Sequence, residues 1–201
     1  MTNNHLAVKG VLEVFKWNLS PLNKKVVVAG GAARDALLEA HGAKATIKDF
    51  DLFVLDTPYN PNTVAEIKKC LIGFTPMRVW EWHKSEPYLV TTVEFGGKSV
   101  QIMASPYSTI EELLDSFDWE ISRYAYDGSY HQGGVDDDEV NVEGIKPGKE
   151  LELHKVTYPF STLRRGFRLS ERFQMYLPTD TVVSLCKQVV EEHDPTPLSG
   201  L

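Results

Sequence analysis

Residues 26–40 read VVVAGGAARDALLEA, and residues 48–55 read KDFDLFVL. The first segment predicts a buried strand that ends at Gly30 and Gly31 and is followed at once by a helix. Two glycines let the backbone approach a ligand closely, because no Cβ atoms stand in the way. The free N–H groups at the start of the helix favour an anion, so a polyphosphate is the expected guest. Arg34 lies in the first turns of that helix, where its guanidinium can donate charge-assisted hydrogen bonds to phosphate.

The second segment places two carboxylates one residue apart. Asp49 and Asp51 share a face of the predicted strand, because alternate side chains of a strand point the same way, and Phe50 takes the opposite face. Two neighbouring carboxylates repel each other unless a cation lies between them. Mg²⁺ or Mn²⁺, held by these carboxylates and by substrate phosphates, meets that need. Two such ions suit in-line displacement at phosphorus.

Each segment also has a simpler interpretation. A glycine pair between a strand and a helix is often only a tight turn, and Asp-x-Asp is common at solvated strand edges. The apolar residues from Phe50 to Leu55 favour the chemical interpretation. They place Asp49 and Asp51 on or beside a buried strand, where carboxylates need a partner.

Taken together, Gly30 to Asp35 and Lys48 to Asp51 resemble the head domain of the poly(A) polymerases and tRNA CCA-adding nucleotidyltransferases. That group belongs to the DNA polymerase β-like nucleotidyltransferase superfamily. Little chain follows Tyr176, so the resemblance is to a head alone, as in compact viral or phage members. It implies an α+β fold, with a mixed β-sheet, flanking helices and a small helical C-terminal part. It also implies a nucleoside triphosphate substrate.

A second match lies at residues 117–127, which read FDWEISRYAYD. This segment is similar to the next motif of the family, in which an Arg-Asp pair and a following Asn contact the ribose. Asp118 falls on the family Asp and Ser122 falls on the family Asn. Ser116 and Phe117 replace the family arginines. The resemblance therefore implies a nucleotide-binding role for Asp118.

A third match lies at residues 163–169, which read LRRGFRL and resemble the arginine-bearing helix that closes the catalytic head. It implies nucleotide-binding roles for Arg165 and Arg168. The alternative is that these arginines pair with acidic residues at the surface.

One position departs from the superfamily, which often has a third carboxylate on the strand beside the aspartates. Here residues 98–103 read KSVQIM, and Gln101 takes the position of the third acid. An amide can accept a hydrogen bond or weakly ligate a metal, but it brings no charge and no general base. A catalytically inert nucleotide-binding module therefore stays open as an alternative.

The chain has 201 residues and a formal net charge of −7 at pH 7. Proteins that grip nucleic acid unaided are usually basic, so we expect a local basic patch, a small acceptor or a protein partner. No apolar run is long enough for a bilayer, and the N-terminus lacks the pattern of a secretion signal. We expect a cytoplasmic protein, in the host cytoplasm if it is viral. We expect a nucleotidyltransferase head over residues 1–158, with a helical segment over residues 159–201 packed on it.

Apolar periodicity and turn residues predict the elements. Helices are expected over residues 6–18, 32–41, 63–74, 110–117, 162–176 and 181–192, and strands over residues 26–29, 49–55, 88–95, 98–103, 140–142 and 151–156. Thr63 is expected to cap its helix. The tryptophans of residues 79–83, VWEWH, either stack on a base or pack against the core.

The expected function is a metal-dependent nucleotidyltransferase that moves a nucleoside monophosphate from a triphosphate to an acceptor hydroxyl and releases pyrophosphate. An RNA 3′ end is the first choice of acceptor, by analogy with the family. A hydroxyl on a protein or a small molecule is the runner-up, which the acidic net charge favours. In either case catalysis would come mostly from alignment and charge neutralisation.

Overall fold

The computed structural model describes residues 2–58, 60–76 and 87–193. The α-helices in those ranges are α1 (Asn3–Leu19), α2 (Gly31–Ala40), α3 (Pro61–Cys70), α4 (Ile110–Leu114), α5 (Pro159–Phe173) and α6 (Thr179–His193). The strands are β1 (Val26–Ala29), β2 (Asp49–Val54), β3 (Tyr88–Phe95), β4 (Lys98–Ala104), β5 (Tyr124–Tyr126) and β6 (Tyr130–Gln132). The tryptophan-bearing residues 79–83 lie outside the described ranges.

The strands form one mixed sheet in the order β3-β4-β2-β1-β5-β6. Strands β2 and β4 are parallel, and the other neighbours are antiparallel. The parallel pair arises because the chain crosses over through α3 and β3 before β4 returns beside β2. The predicted α+β class with a mixed sheet and flanking helices is therefore confirmed.

Local sequence signals set several helix ends. Thr109 and Glu112 form the reciprocal capping box of α4, as the Ser-Thr-x-x-Glu pattern predicts. Helix α3 begins earlier than predicted, because Asn60 accepts a hydrogen bond from the Asn62 N–H and Pro61 takes the first helical position. The expectation that Thr63 caps this helix is therefore wrong.

The region after α4 differs most from the predicted strands. The predicted strands at residues 140–142 and 151–156 are absent, and Leu153 makes only an isolated bridge to Trp119. Strands β5 and β6 lie instead on either side of Asp127-Gly128, a dipeptide typical of hairpin turns. These strands have three residues each, so pairing with their neighbours, rather than propensity, holds them in place.

Contacts between Cα atoms divide the chain into two compact units. Unit 1 comprises Met1–Ser116 and Ser122–Val142, and unit 2 comprises Phe117–Ile121 and Glu143–Leu201. The division into a head of residues 1–158 and a segment of residues 159–201 stays a prediction.

In unit 1, α1 packs on one face of the sheet. The His5 ring of α1 contacts the Tyr126 ring of β5, with the ring centroids 5.5 Å apart. Tyr126 pairs with Val28 of β1, and Val28 pairs with Leu52 of β2, so these three side chains share the face that α1 covers. All three are buried. Asp49 and Asp51 alternate with Leu52 and therefore lie on the opposite face.

In unit 2, the core is centred on Trp119, which is fully buried with Ile121, Leu151, Leu169, Met175 and Leu185 around it. The Trp119 Nε1–H donates to the Thr162 carbonyl at 3.1 Å. A Cβ on Gly166 would lie 2.5 Å from Cζ2 of Trp119, so α5 approaches the indole too closely for any side chain there. None of the helices within the described ranges is both long and apolar enough to cross a bilayer.

Candidate active site

The two aspartates of β2 lie together on the face of the sheet opposite α1. Asp49 is exposed, Asp51 is half-buried and Phe50 between them is buried, as strand alternation predicts. Asp51 pairs with Ala29 of β1 on one side and with Gln101 of β4 on the other. The carboxylates are therefore neighbours near the middle of the sheet.

The glycine turn lies beside these aspartates. Strand β1 ends at Ala29, and its antiparallel register with β2 brings the next two residues alongside the Asp49 end of that strand. Gly30 has φ 76° and ψ −135°, a conformation that strains any residue with a Cβ. Its N–H donates to the Tyr124 carbonyl at 2.7 Å. Helix α2 then begins at Gly31, so its first N–H groups lie at the aspartate end of the sheet.

Arg34 lies inside this turn rather than on an open surface. Its side chain is 2% exposed, and Nε and Nη2 donate to Oδ1 of Asp35 at 3.0 Å and 2.9 Å. Nη2 is 3.5 Å from the position that a Cβ on Gly31 would take. The guanidinium therefore lies against the glycine turn with its charge partly balanced by Asp35. The contact between Arg34 and phosphate stays a prediction.

Gln101 lies beside the aspartates, as the family resemblance implies. It is half-buried on β4, and its partner in the register is Asp51, so the two side chains project to the same face. Ser99 pairs with Asp49 in the same way. The start of β2 is held by Lys98, whose Nζ donates to the Ile47 carbonyl at 2.6 Å. The third position of the site, beside Asp49 and Asp51, is therefore taken by the Gln101 amide.

The donor set fits a divalent cation that is shared with a substrate. Among the described residues, no three His, Cys, Asp or Glu side chains form a metal-binding cluster. Two carboxylates with an adjacent amide leave most coordination positions to water and phosphate. Mg²⁺ is usually bound in that way, because it keeps several waters and takes few protein ligands.

A further polar cluster lies on the same face of the sheet. Ala29 pairs with Ala125 of β5, and Ala125 pairs with His131 of β6, so His131 is in the row of Asp51. His131 Nε2 lies 2.9 Å from Oδ1 of Asp127, and Lys25 Nζ lies 2.9 Å from Oδ2. Burial favours the neutral acid, but the hydrogen bonds from His131 and Lys25 outweigh it and hold the pKa of Asp127 well below its usual range.

Sequence reasoning missed this cluster. Alternation on either side of Asp127-Gly128 was the available signal for the hairpin that brings His131 to Asp127. The contribution of Lys25 follows only from the position of its strand beside β5.

The other predicted nucleotide-binding residues lie in unit 2. Asp118 is 7% exposed, and both of its carboxylate oxygens accept from Nη1 of Arg165 at 2.7 Å. The Arg165 side chain is 43% exposed, and Arg168, one turn further along α5, is exposed. Ser122 is buried and belongs to unit 1. The structure therefore joins Asp118 to Arg165, and the roles of these residues in nucleotide binding stay predictions.

The fold is similar to those of solved CCA-adding and tRNA-processing enzymes. The Thermotoga maritima CCA-adding enzyme complexed with tRNA aligns over 91% of this chain and 42% of its own, with 22% identity and a TM-score of 0.58. A CCA-adding enzyme in complex with ATP aligns over 92% and 43%, with 22% identity and a TM-score of 0.55. A tRNA-processing enzyme in an apo form aligns over 96% and 48%, with 17% identity and a TM-score of 0.54.

These likenesses show the nucleotidyltransferase fold, and the chain spans less than half the length of the solved enzymes. No curated protein matches the chain. Residues 5–157 match the family model described as Gabija anti-defense 2 family protein. Because that match covers more than half of the sequence, the chain belongs to the Gabija anti-defense 2 family.

Proposed function

We propose that this chain is a metal-dependent nucleotidyltransferase, which moves a nucleoside monophosphate from a triphosphate to an acceptor hydroxyl and releases pyrophosphate. One observation carries the proposal. Asp49 and Asp51 share a face of β2, and the register places the Gly30-Gly31 turn and the start of α2 beside them. A site for anionic phosphates therefore adjoins a site for their counter-cation.

Each residue of the site has a distinct role in this proposal. The Gly30-Gly31 turn holds the triphosphate through the Gly31 N–H and the other first N–H groups of α2, because the Gly30 N–H is already donated to the Tyr124 carbonyl. The buried Arg34 adds positive charge behind the turn. Asp49 and Asp51 hold Mg²⁺ or Mn²⁺. When bound, the cation neutralises charge on the reacting phosphate and favours ionisation of the acceptor hydroxyl. The protein holds the triphosphate and the acceptor hydroxyl in the orientation that in-line attack requires. Gln101 contributes a neutral hydrogen-bonding group.

We also propose nucleotide contacts for three residues of unit 2. Asp118 fixes Arg165 through two hydrogen bonds, which prepares a planar, multi-donor group with an exposed side chain. Arg168 is exposed on the same helix. We assign Arg165 and Arg168 to the base or ribose of the nucleotide, with Asp118 as the group that orients Arg165.

RNA is the proposed acceptor class. One fold relative is described as complexed with tRNA, and others as tRNA-processing enzymes. The description of the family further links these proteins to countering a defence called Gabija. We propose that nucleotide transfer is the means of that action, in a compact phage or viral relative of the poly(A) polymerase and CCA-adding heads.

The test is a transfer assay with each α-labelled nucleoside triphosphate, Mg²⁺ or Mn²⁺, and either total RNA or a protein lysate. We expect label in the RNA fraction and release of pyrophosphate. Label in protein instead would favour the runner-up acceptor. Triphosphate binding without any transfer would favour an inert module, which the absence of a third acid at Gln101 keeps as an alternative.

Two variants separate the site from the rest of the chain. Asp49→Asn with Asp51→Asn should reduce transfer by at least about a hundredfold, since the pair supplies the metal site. Asp136→Asn is the matched control, because Asp136 is exposed and makes no side-chain cap to the helical turn that follows it. Full transfer activity in the double variant would refute the assignment.

A further inference from the structure

Helix α5 carries an exposed stripe that combines aromatic and basic side chains. Phe160, Arg164, Phe167 and Arg168 stand at positions i, i+4, i+7 and i+8, so they share one face of the helix. Phe160 is 59% exposed and Phe167 is 53% exposed. Both arginines are exposed as well. We call these four residues the α5 stripe.

The core of unit 2 does not require these aromatic side chains. The buried face of α5 is formed by other residues, namely Pro159, Thr162, Gly166 and Leu169. Five aromatic side chains are exposed among the described residues, and four of them lie between residues 158 and 176; these are Tyr158, Phe160, Phe167 and Tyr176. Such a concentration at the surface marks an interaction site rather than the scatter that is normal for single apolar residues.

The charge around the stripe is opposite to that of the chain. From Lys155 to Tyr176, both included, there are five basic residues and one acidic residue, whereas the whole chain has a net charge of −7. Arg172, on the same helix but outside the stripe, makes a cation–π contact, with its Cζ 5.1 Å from the centroid of the Phe173 ring. The stripe therefore offers a polyanion a local positive surface, which the overall charge of the chain does not.

We propose that the α5 stripe binds single-stranded nucleic acid. Unpaired bases stack on Phe160 and Phe167, and Arg164 contacts the backbone phosphates, while Arg168, at the edge of the stripe, keeps the nucleotide contact assigned to it above. This proposal rests on the proposed function, because the strand bound in this way is the acceptor. Arginines alone would suit a duplex equally well, but exposed aromatic rings favour a strand whose base faces are available.

The spacing agrees with a short stretch of strand. Phe160 and Phe167 are two helical turns apart, which is about 10 Å along the axis. That separation exceeds the thickness of one base and allows each ring to take a different base of the same strand. Arg164 lies between the two rings along the helix, where it can reach the connecting phosphates.

The test is fluorescence anisotropy of a labelled oligouridylate of about a dozen nucleotides, a length within the usual range of single-strand sites. The full chain is titrated without nucleotide at several salt concentrations. Phe160→Ala with Phe167→Ala should weaken binding at least about fivefold for each aromatic ring removed and leave the salt dependence unchanged. Arg164→Ala should reduce the slope of log K against log salt by about 0.7.

Matched controls come from the exposed side chains of unit 1. Trp17, on α1, is 81% exposed, so Trp17→Ala tests whether any exposed aromatic is enough. Lys69→Ala does the same for an exposed cation on α3. Both should bind like wild type. Single-stranded DNA of the same length is titrated in parallel with the oligouridylate. Equal affinity would show that the stripe binds single strands of either kind, and weaker affinity for DNA would show a preference for RNA.

Three outcomes would overturn the proposal. These are wild-type affinity in the double phenylalanine variant, equal affinity for a duplex of the same length, and no binding of the strand while the stripe instead holds a second copy of the chain. Asp49→Asn should bind the strand normally while losing transfer. A failure of the surface is therefore distinguishable from a failure of the proposed chemistry.

Discussion

Asp49 and Asp118 both fall in motifs that resemble one family, but their surroundings differ. Asp49 is exposed on β2, and no hydrogen bond or ion pair of its side chain is found within the described ranges. Asp118 is buried, and both of its oxygens accept hydrogen bonds from Arg165 at 2.7 Å. One carboxylate is thus paired within the chain, whereas the other lies beside a second acid.

This difference predicts different roles for the two aspartates. A buried carboxylate that is already paired contributes to stability and orients its partner. An exposed carboxylate next to Asp51 raises the electrostatic energy of the chain until a cation binds. Substitutions should therefore separate the two groups, with stability affected at Asp118 and transfer affected at Asp49.

The largest expected effect on stability comes from Asp118→Asn. The substitution removes the charge that pairs with Arg165, and hydrogen bonds to charged groups typically contribute about 1.5–3 kcal/mol. We expect the free energy of unfolding in urea to fall by about 2 kcal/mol, while Asp49→Asn leaves it within about 0.5 kcal/mol. Unchanged stability together with weaker nucleotide binding would show that Asp118 acts directly on the ligand and would break the comparison.

A second effect of similar size is expected at the glycine turn. Gly30→Ala places a residue with a Cβ at φ 76° and ψ −135°. The resulting strain should lower the free energy of unfolding by roughly 1–3 kcal/mol and displace the start of α2. We expect a lower melting temperature and weaker triphosphate binding in a thermal-shift assay.

Gly10→Ala is its matched control. Gly10 lies in the interior of α1, and a Cβ there would meet nothing within 4 Å. Alanine is the better helix former by about 1 kcal/mol, so the melting temperature should rise. Equal behaviour of the two variants would argue that the turn has no special backbone requirement.

The residues around Asp49 were readable from the sequence because each signal there is local. Apolar runs define β1 and β2, the glycine pair marks the start of α2, and the hairpin at Gly96-Gly97 fixes β4. The position of Gln101 beside the aspartates was expected from the family resemblance rather than from these signals, and the register pairs it with Asp51.

The environment of Asp118 was not readable in the same way. Its partner Arg165 is 47 residues away, and no periodicity connects the two positions. The burial of Arg34 was also missed, since a guanidinium after a glycine turn is equally consistent with an exposed phosphate contact. Only packing reveals that Asp35 and the turn enclose it.

A smaller effect is expected from Gln101→Glu, which places a third carboxylate beside Asp51. Without metal, like charges on neighbouring strands should lower stability by about 0.5–1 kcal/mol. Mg²⁺ should then raise the melting temperature more than it does in wild type, because it binds the folded site.

Gln188→Glu is the control for added charge, since Gln188 lies on α6 in the other unit. It should show no response to Mg²⁺ beyond that of wild type. An equal Mg²⁺ response in both variants would place the cation elsewhere and weaken the contrast between the two aspartate environments.

The smallest effect concerns Asp127, a third environment in which a half-buried carboxylate is paired with His131 and Lys25. Its pKa is lower in the folded chain than in the unfolded chain, so the ionised form stabilises the fold. That contribution is fully present above the unfolded pKa of about 3.9 and is lost as the pH falls through the lower folded value. Asp127→Asn should therefore be less stable than wild type at neutral pH by about 0.5 kcal/mol or less, and the difference should shrink steadily below about pH 4. Urea unfolding across the acid range measures this, with Asp136→Asn as the exposed control.

A difference that stays constant down to the most acidic pH would mean that the pair acts through packing rather than through charge, and Asp127 would then belong with neither Asp49 nor Asp118.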